Sequence, residues 1–213
     1  MISRLHFISQ ETPEFTHLEC IKKACIAGVD WVQLRVKDRP MEEIIAIAKQ
    51  AKLICDDFGA KLIINDHPLV AWKIQSYGLH LGKEDMPIAE ARKIVGDKMI
   101  IGGTANTIDD ILQHVADSAD YIGLGPFRFT KTKLKLSPVL GLEGYQQIMK
   151  EIERLNLTIP VIAIGGIEAN DIASIMKASV YGIAASSLIA FADEPEQTLT
   201  EINQLLRGEN ALC

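Results

Sequence analysis

At 213 residues, 48% of them apolar, the chain can bury one substantial core, and a single domain over residues 1–213 is expected. A formal charge of −6 excludes general attraction to nucleic acid or anionic lipid, so basic residues that bind anything do so in a local pocket and the partner is expected to be a small molecule. The opening MISRLHFIS lacks the apolar run of a signal peptide and no stretch reaches bilayer-spanning length, which predicts no membrane partner and a cytoplasmic location. The pattern leaves the oligomeric state open and is compatible with a homo-oligomer. Cys20, Cys25, Cys55 and Cys213 lack metal-type spacing, and reduced structural thiols are expected.

Short apolar runs alternate with amphipathic helical patterns along the chain. Arg4 to Ser9 reads as the first strand, and Leu18, Ile21, Ala24, Cys25 and Ala27 recur at helical spacing up to Gly28. Asp30 to Arg35 is a second strand; Pro40 sits where a helix can start, and Ile44, Ile45, Ile47, Ala48, Ala51 and Ile54 form its buried stripe before Gly59. Leu62 to Ile64 is a third strand ending on Asn65 and Asp66, followed by a short helix after Pro68 and a fourth strand from Gly78 to Leu81. A helix from Pro87 to Val95, a strand from Met99 to Thr104, a helix from about Ile108 to Val115 and a strand from Tyr121 to Leu124 come next. The longest irregular segment, Pro126 to Pro138, is basic, and a loop of that length in a compact domain is usually functional. A helix around Leu142 to Leu155, a strand from Pro160 to Ile164, a helix capped by Asn170 or Asp171, a strand from Val180 to Ala184 and two helical patterns close the chain.

Apolar runs without clean alternation, each followed by a helix, predict an α/β fold with a closed parallel sheet, the (β/α)₈ TIM barrel. A doubly wound open sheet is the alternative, but it needs edge strands with a polar face, and none of the runs has one. In a barrel the polar strand ends converge on one mouth: Gln33, Arg35 and Lys37; Asn65 and Asp66; Asp85; Thr104; and Thr130, Thr132 and Lys133 from the long loop. Gly165 and Gly166 after the seventh strand, with Ser186 and Ser187 after the eighth, match the usual barrel phosphate site. Taken singly, each has a plainer reading: a tight turn for the glycines, surface charges for Arg35 and Lys37, a helix cap for Asp66, a helix start for Asp85. Their convergence is what favours a site. His67 and His80 receive no role, since His80 lies inside an apolar run as a wall residue does.

The segments QLRVKD, ND, GLHLGKEDMP, GPFRFTKTK, PVIAIGGI and GIAASSLI, in this order over nearly the whole chain, resemble the thiamine-phosphate synthase family. The resemblance implies a (β/α)₈ barrel enzyme that joins hydroxymethylpyrimidine diphosphate to hydroxyethylthiazole phosphate, carboxylated or not, and releases diphosphate with the help of Mg²⁺. It implies that Gln33, Arg35, Lys37, Asn65 and Lys133 hold the pyrimidine diphosphate, with Thr104 where the family usually has serine. Asp66 and Asp85 would bind Mg²⁺, and Thr130, Thr132, Gly165, Gly166, Ser186 and Ser187 the thiazole phosphate. Catalysis would fall to Lys133, Arg35 and Lys37, stabilising the leaving group; no nucleophilic side chain is needed. The chain departs from the family at Thr104, at Asn106, where relatives often carry histidine, and at Phe127, Arg128 and Phe129, which replace a more usual tyrosine-proline sequence. Two rivals remain: the thiazole tautomerase paralogue, which a histidine in place of Asn106 would support, and a non-catalytic barrel that senses a thiamine intermediate.

Overall fold

A computed structural model describes residues 1–129 and 137–208. Its elements, in chain order, are β1 (Leu5–Ile8), α1 (His17–Ile26), β2 (Trp31–Leu34), α2 (Met41–Asp57), β3 (Lys61–Asn65), α3 (Pro68–Ile74), β4 (Gly78–Leu81), α4 (Ile88–Val95) and β5 (Ile100–Ala105). They continue with α5 (Ile108–Ala116), β6 (Tyr121–Leu124), α6 (Gly141–Arg154), β7 (Val161–Ile164), α7 (Ala169–Lys177), β8 (Gly182–Ala185), α8 (Ser187–Ala190) and α9 (Pro195–Arg207). All neighbouring strands pair in parallel and β1 pairs with β8, so the sheet closes as the (β/α)₈ barrel that the alternating pattern predicts. No helix among the described residues is long and apolar enough to cross a membrane.

Closure explains the missing alternation, because both faces of every strand are covered. The larger apolar cluster lies between sheet and helices and includes Phe7, Val32, Leu79, Ile101 and Ile122, with Ile21, Ala48 and Ile172 from the helices. Partners across a register share a face, so Gln33 opposite Ile63, Asn65 opposite His80 and Gly102 opposite Tyr121 all point into the barrel. Trp31, Ile63, Tyr121, Ile162 and Ala184 form the apolar filling there. Gly102 makes room for it: a Cβ at that position would stand 2.1 Å from Cζ of Tyr121.

Helix starts follow local chemistry. Thr16 and Thr107 make capping boxes with Glu19 and Asp110, while Pro40 and Pro87 stand just before α2 and α4. The expected cap of α7 is corrected: Glu168, not Asn170 or Asp171, is the N-cap, and Asp171 sits at the third helical position, where its carboxylate accepts from the Glu168 N–H at 2.8 Å. Cys20, Cys25 and Cys55 are buried and free; Cys213 lies outside the described residues.

Candidate active site

Because Trp31 and Ile63 face inward, the period of two turns Gln33 and Asn65 inward as well, at the carboxyl ends of β2 and β3. Both are buried, and Nε2 of Gln33 donates to Oδ1 of Asn65 at 3.2 Å. Among the described residues nothing engages Gln33 Oε1 or Asn65 Nδ2, which leaves one acceptor and one donor at the floor of the mouth. Arg35 is half-buried; its N–H donates to Ser9 Oγ at 3.1 Å, and the same hydroxyl lies 2.9 Å from His17 Nδ1. Ser9 thus ties the ends of β1 and β2 to α1, a role that a lone serine after a strand does not reveal in the sequence.

Past the strand ends the charges meet. Exposed Lys37 forms an ion pair with Asp66, whose φ of 65° lies in the left-handed region that aspartate tolerates better than most residues. The Asp66 N–H donates to His80 O at 2.9 Å, holding this turn against β4. Asp85 Oδ2 accepts the Gly82 N–H at 2.6 Å. Burial pushes the Asp85 carboxyl above the usual carboxylate range, and its hydrogen-bonding contact with Asp66 pushes it further. Two acids from neighbouring strand ends therefore share one spot beside a lysine. No cluster of three or more His, Cys, Asp or Glu suited to a metal exists among the described residues. A carboxylate pair nonetheless fits Mg²⁺, which takes one or two carboxylates and completes its shell with substrate phosphate oxygens and water.

Thr104 lies on the inner face of β5, with His80 Nε2 3.0 Å from its Oγ1 and the buried Tyr121 hydroxyl 3.0 Å from His80 Nδ1. Burial raises the Tyr121 hydroxyl pKa well above its ordinary value, so it stays an O–H donor. His80 thus bridges the Tyr121 and Thr104 hydroxyls through its two ring nitrogens. His80 is a wall residue, as the apolar run around it implies, but one that orients a hydroxyl. Asn106 is buried, and its Nδ2 donates to both Gly125 O and Pro138 O at 2.9 Å, fastening the two ends of the long loop.

On the opposite side, Gly165 and Gly166 adopt φ of 98° and 66°, and a Cβ on Gly165 would stand 2.7 Å from Pro126 Cβ. Ser186 donates its hydroxyl to Ile8 O at 2.6 Å, so its N–H and the oxygen lone pairs are what remain for a ligand; Ser187 is exposed at the start of α8. Barrel closure thus brings Gln33, Arg35, Lys37, Asn65, Asp66, Asp85, Thr104, Gly165, Gly166, Ser186 and Ser187 to one end. Thr130, Thr132 and Lys133 lie outside the described residues.

A family model described as thiamine monophosphate synthase matches residues 5–189. Thiamine-phosphate synthases of Bacteroides thetaiotaomicron and Bacteroides fragilis are 46% identical over 203 residues and 49% identical over 200 residues, covering 95% and 93% of this chain and 97% and 98% of their own. The solved structure of thiamine phosphate pyrophosphorylase from Pyrococcus furiosus superposes with a TM-score of 0.81 at 28% identity, covering 98% of this chain and 97% of that one. With nearly the whole barrel matched in sequence and in shape, the chain belongs to the thiamine monophosphate synthase family and is an enzyme, a transferase.

Proposed function

We propose that this chain condenses hydroxymethylpyrimidine diphosphate with hydroxyethylthiazole phosphate to thiamine phosphate and diphosphate, or with its carboxylated form to the same products and CO₂. The observation that carries the reading is the Lys37–Asp66–Asp85 group beside the buried Gln33–Asn65 amide pair, a polar floor next to a charged rim at the ends of β2, β3 and β4. In the reaction the bond between the pyrimidine methylene carbon and the diphosphate oxygen breaks, and its electron pair leaves with the diphosphate. The thiazole nitrogen then supplies the pair that forms the new bond to that carbon. The residues supply orientation and charge: Gln33, Asn65 and Thr104 hold the pyrimidine diphosphate, and Arg35, Lys37 and Lys133 face the developing negative charge. Asp66 and Asp85 suit Mg²⁺, which when bound neutralises part of the leaving diphosphate's charge. The Gly165–Gly166 turn and the start of α8 take the thiazole phosphate, with Thr130 and Thr132. Asn106, its amide spent on two carbonyls, has no acid–base capacity for the tautomerase reading.

The test is incubation of the purified chain with both substrates, with and without Mg²⁺. Thiamine phosphate and diphosphate are expected in equal amounts, and none after chelation. Isomerised thiazole with no coupled product would replace this reading with the tautomerase, and tight binding without turnover would replace it with the sensor. Lys133→Ala is expected to lower turnover by about 100-fold or more, as loss of a leaving-group cation does.

A further inference from the structure

The segment 127–129, where the chain departs from the family pattern, packs directly on the turn after β7. The Phe127 and Arg128 N–H groups donate to Ile164 O and Gly165 O, both at 2.9 Å. The Arg128 guanidinium donates to Gly166 O at 2.6 Å and grips both carboxylate oxygens of Asp171 at 2.9 Å, with Glu168 at 3.4 Å. Arg128 thus fixes the two successive carbonyls of the Gly165–Gly166 turn. Since the C=O and N–H of one peptide unit point to opposite sides, the N–H groups of Gly166 and Ile167 are turned the other way. No described group accepts from either of them. Consecutive backbone N–H groups held open in this manner suit an anion. Asp171, which lies at the third position of α7, would repel that anion, and Arg128 and the Glu168 N–H keep its carboxyl ionised below the usual range even though burial works against them.

We propose that Arg128 is a positioning residue for the thiazole phosphate, and this rests on the function proposed above. It acts in two ways: it pins the turn's carbonyls so that the amides form the phosphate cradle, and it neutralises the carboxylate that would otherwise oppose a phosphate dianion there. Through its own backbone it also couples the loop after β6 to the loop after β7, joining the segment that leads to Lys133 with the phosphate cradle.

The experiment is steady-state kinetics with each substrate varied in turn, together with calorimetric binding of thiazole phosphate and of inorganic phosphate, for wild type, R128A, R128K and R128A/D171N. The KM for thiazole phosphate and both dissociation constants are expected to rise about tenfold in R128A, while the KM for the pyrimidine diphosphate changes less than about twofold. R128K, which keeps the charge but not the two-pronged grip, is expected to fall between wild type and R128A. R128A/D171N is expected to regain part of the lost affinity, which a general packing defect would not do. Equal affinity of wild type and R128A for both phosphates, or equal KM changes for both substrates, would overturn the proposal. A wild type that makes no thiamine phosphate overturns the functional reading, and the Arg128 proposal then stands or falls on whether R128A binds inorganic phosphate more weakly than wild type. If R128A fails to fold, R128K decides: wild-type affinity in that variant would overturn the two-pronged role.

Discussion

Asp66 and Asp85 illustrate how much one contact can change a residue. Each carboxyl alone is unremarkable at a strand end, but burial, and then the contact with Asp66, make Asp85 titrate above the usual carboxylate range. A carboxyl whose pKa is raised by folding binds its proton more tightly when folded, so it adds stability as the pH falls to that pKa and loses it as the pH rises through it. Asp85→Asn should therefore be more stable than wild type at pH 7, with the advantage shrinking as the pH falls towards 4, measured by denaturant unfolding at a series of pH values. The same variant should lose at least about tenfold in Mg²⁺-dependent turnover if Asp85 holds the ion. Full activity with unchanged Mg²⁺ dependence would remove Asp85 from the site.

The loop between β6 and α6 is held at its base by Asn106, from the loop after β5, and by bonds between its own two ends. Asn106 clasps Gly125 O and Pro138 O, and the Leu140 and Gly141 N–H groups donate to Pro126 O and Phe127 O. Asn106→Ala leaves two carbonyls each short of a partner, at a cost of roughly 1–3 kcal/mol. Its amide hydrogens at Leu140 and Gly141 should exchange faster than in wild type, while those of β2 and β3 keep their protection. Unchanged exchange at Leu140 would mean that the loop base is held without Asn106. The sequence marks this segment as long and basic, yet the residue that fastens it lies after the preceding strand, β5, where an asparagine looks like an ordinary turn residue.

Across the whole molecule, the barrel interior carries a buried aromatic and imidazole stack. His6 lies 4.6 Å from Trp31, ring centre to ring centre, and edge-on to Tyr121 at 5.1 Å. Burial, and then the charge of His80, lower the His6 pKa to about 3. Unfolded, the same imidazole titrates near 6.5, so its contribution to stability is complete above that value and is lost as the pH falls from about 6.5 to about 3. His6→Phe keeps the ring stack and removes the titration; over that window its unfolding free energy should fall less steeply than that of wild type, by up to about 1.4 kcal/mol per pH unit. Parallel slopes for the two proteins would show that His6 is protonated in the folded barrel.

Element order and the mouth's inventory were legible in the chain because both depend on short-range patterns: β4 and β6 have the bounds that their apolar runs mark, and a polar residue that ends a strand in a parallel barrel can only face the mouth. The cap of α7 was misread for an equally local reason, since asparagine and aspartate are the commoner caps and glutamate in that place carries little signal. What closure alone decided are the partnerships. Ser186 spends its hydroxyl on Ile8, 178 residues away; Arg128 reaches Asp171, 43 away; Gln33 meets Asn65, 32 away. Such contacts leave no periodicity in the sequence, because hydrogen-bond geometry across a barrel depends on register and loop path rather than on neighbouring residues. Thr104 is read from the chain as a hydroxyl at a strand end, and only the packed interior joins it through His80 to the buried Tyr121 hydroxyl.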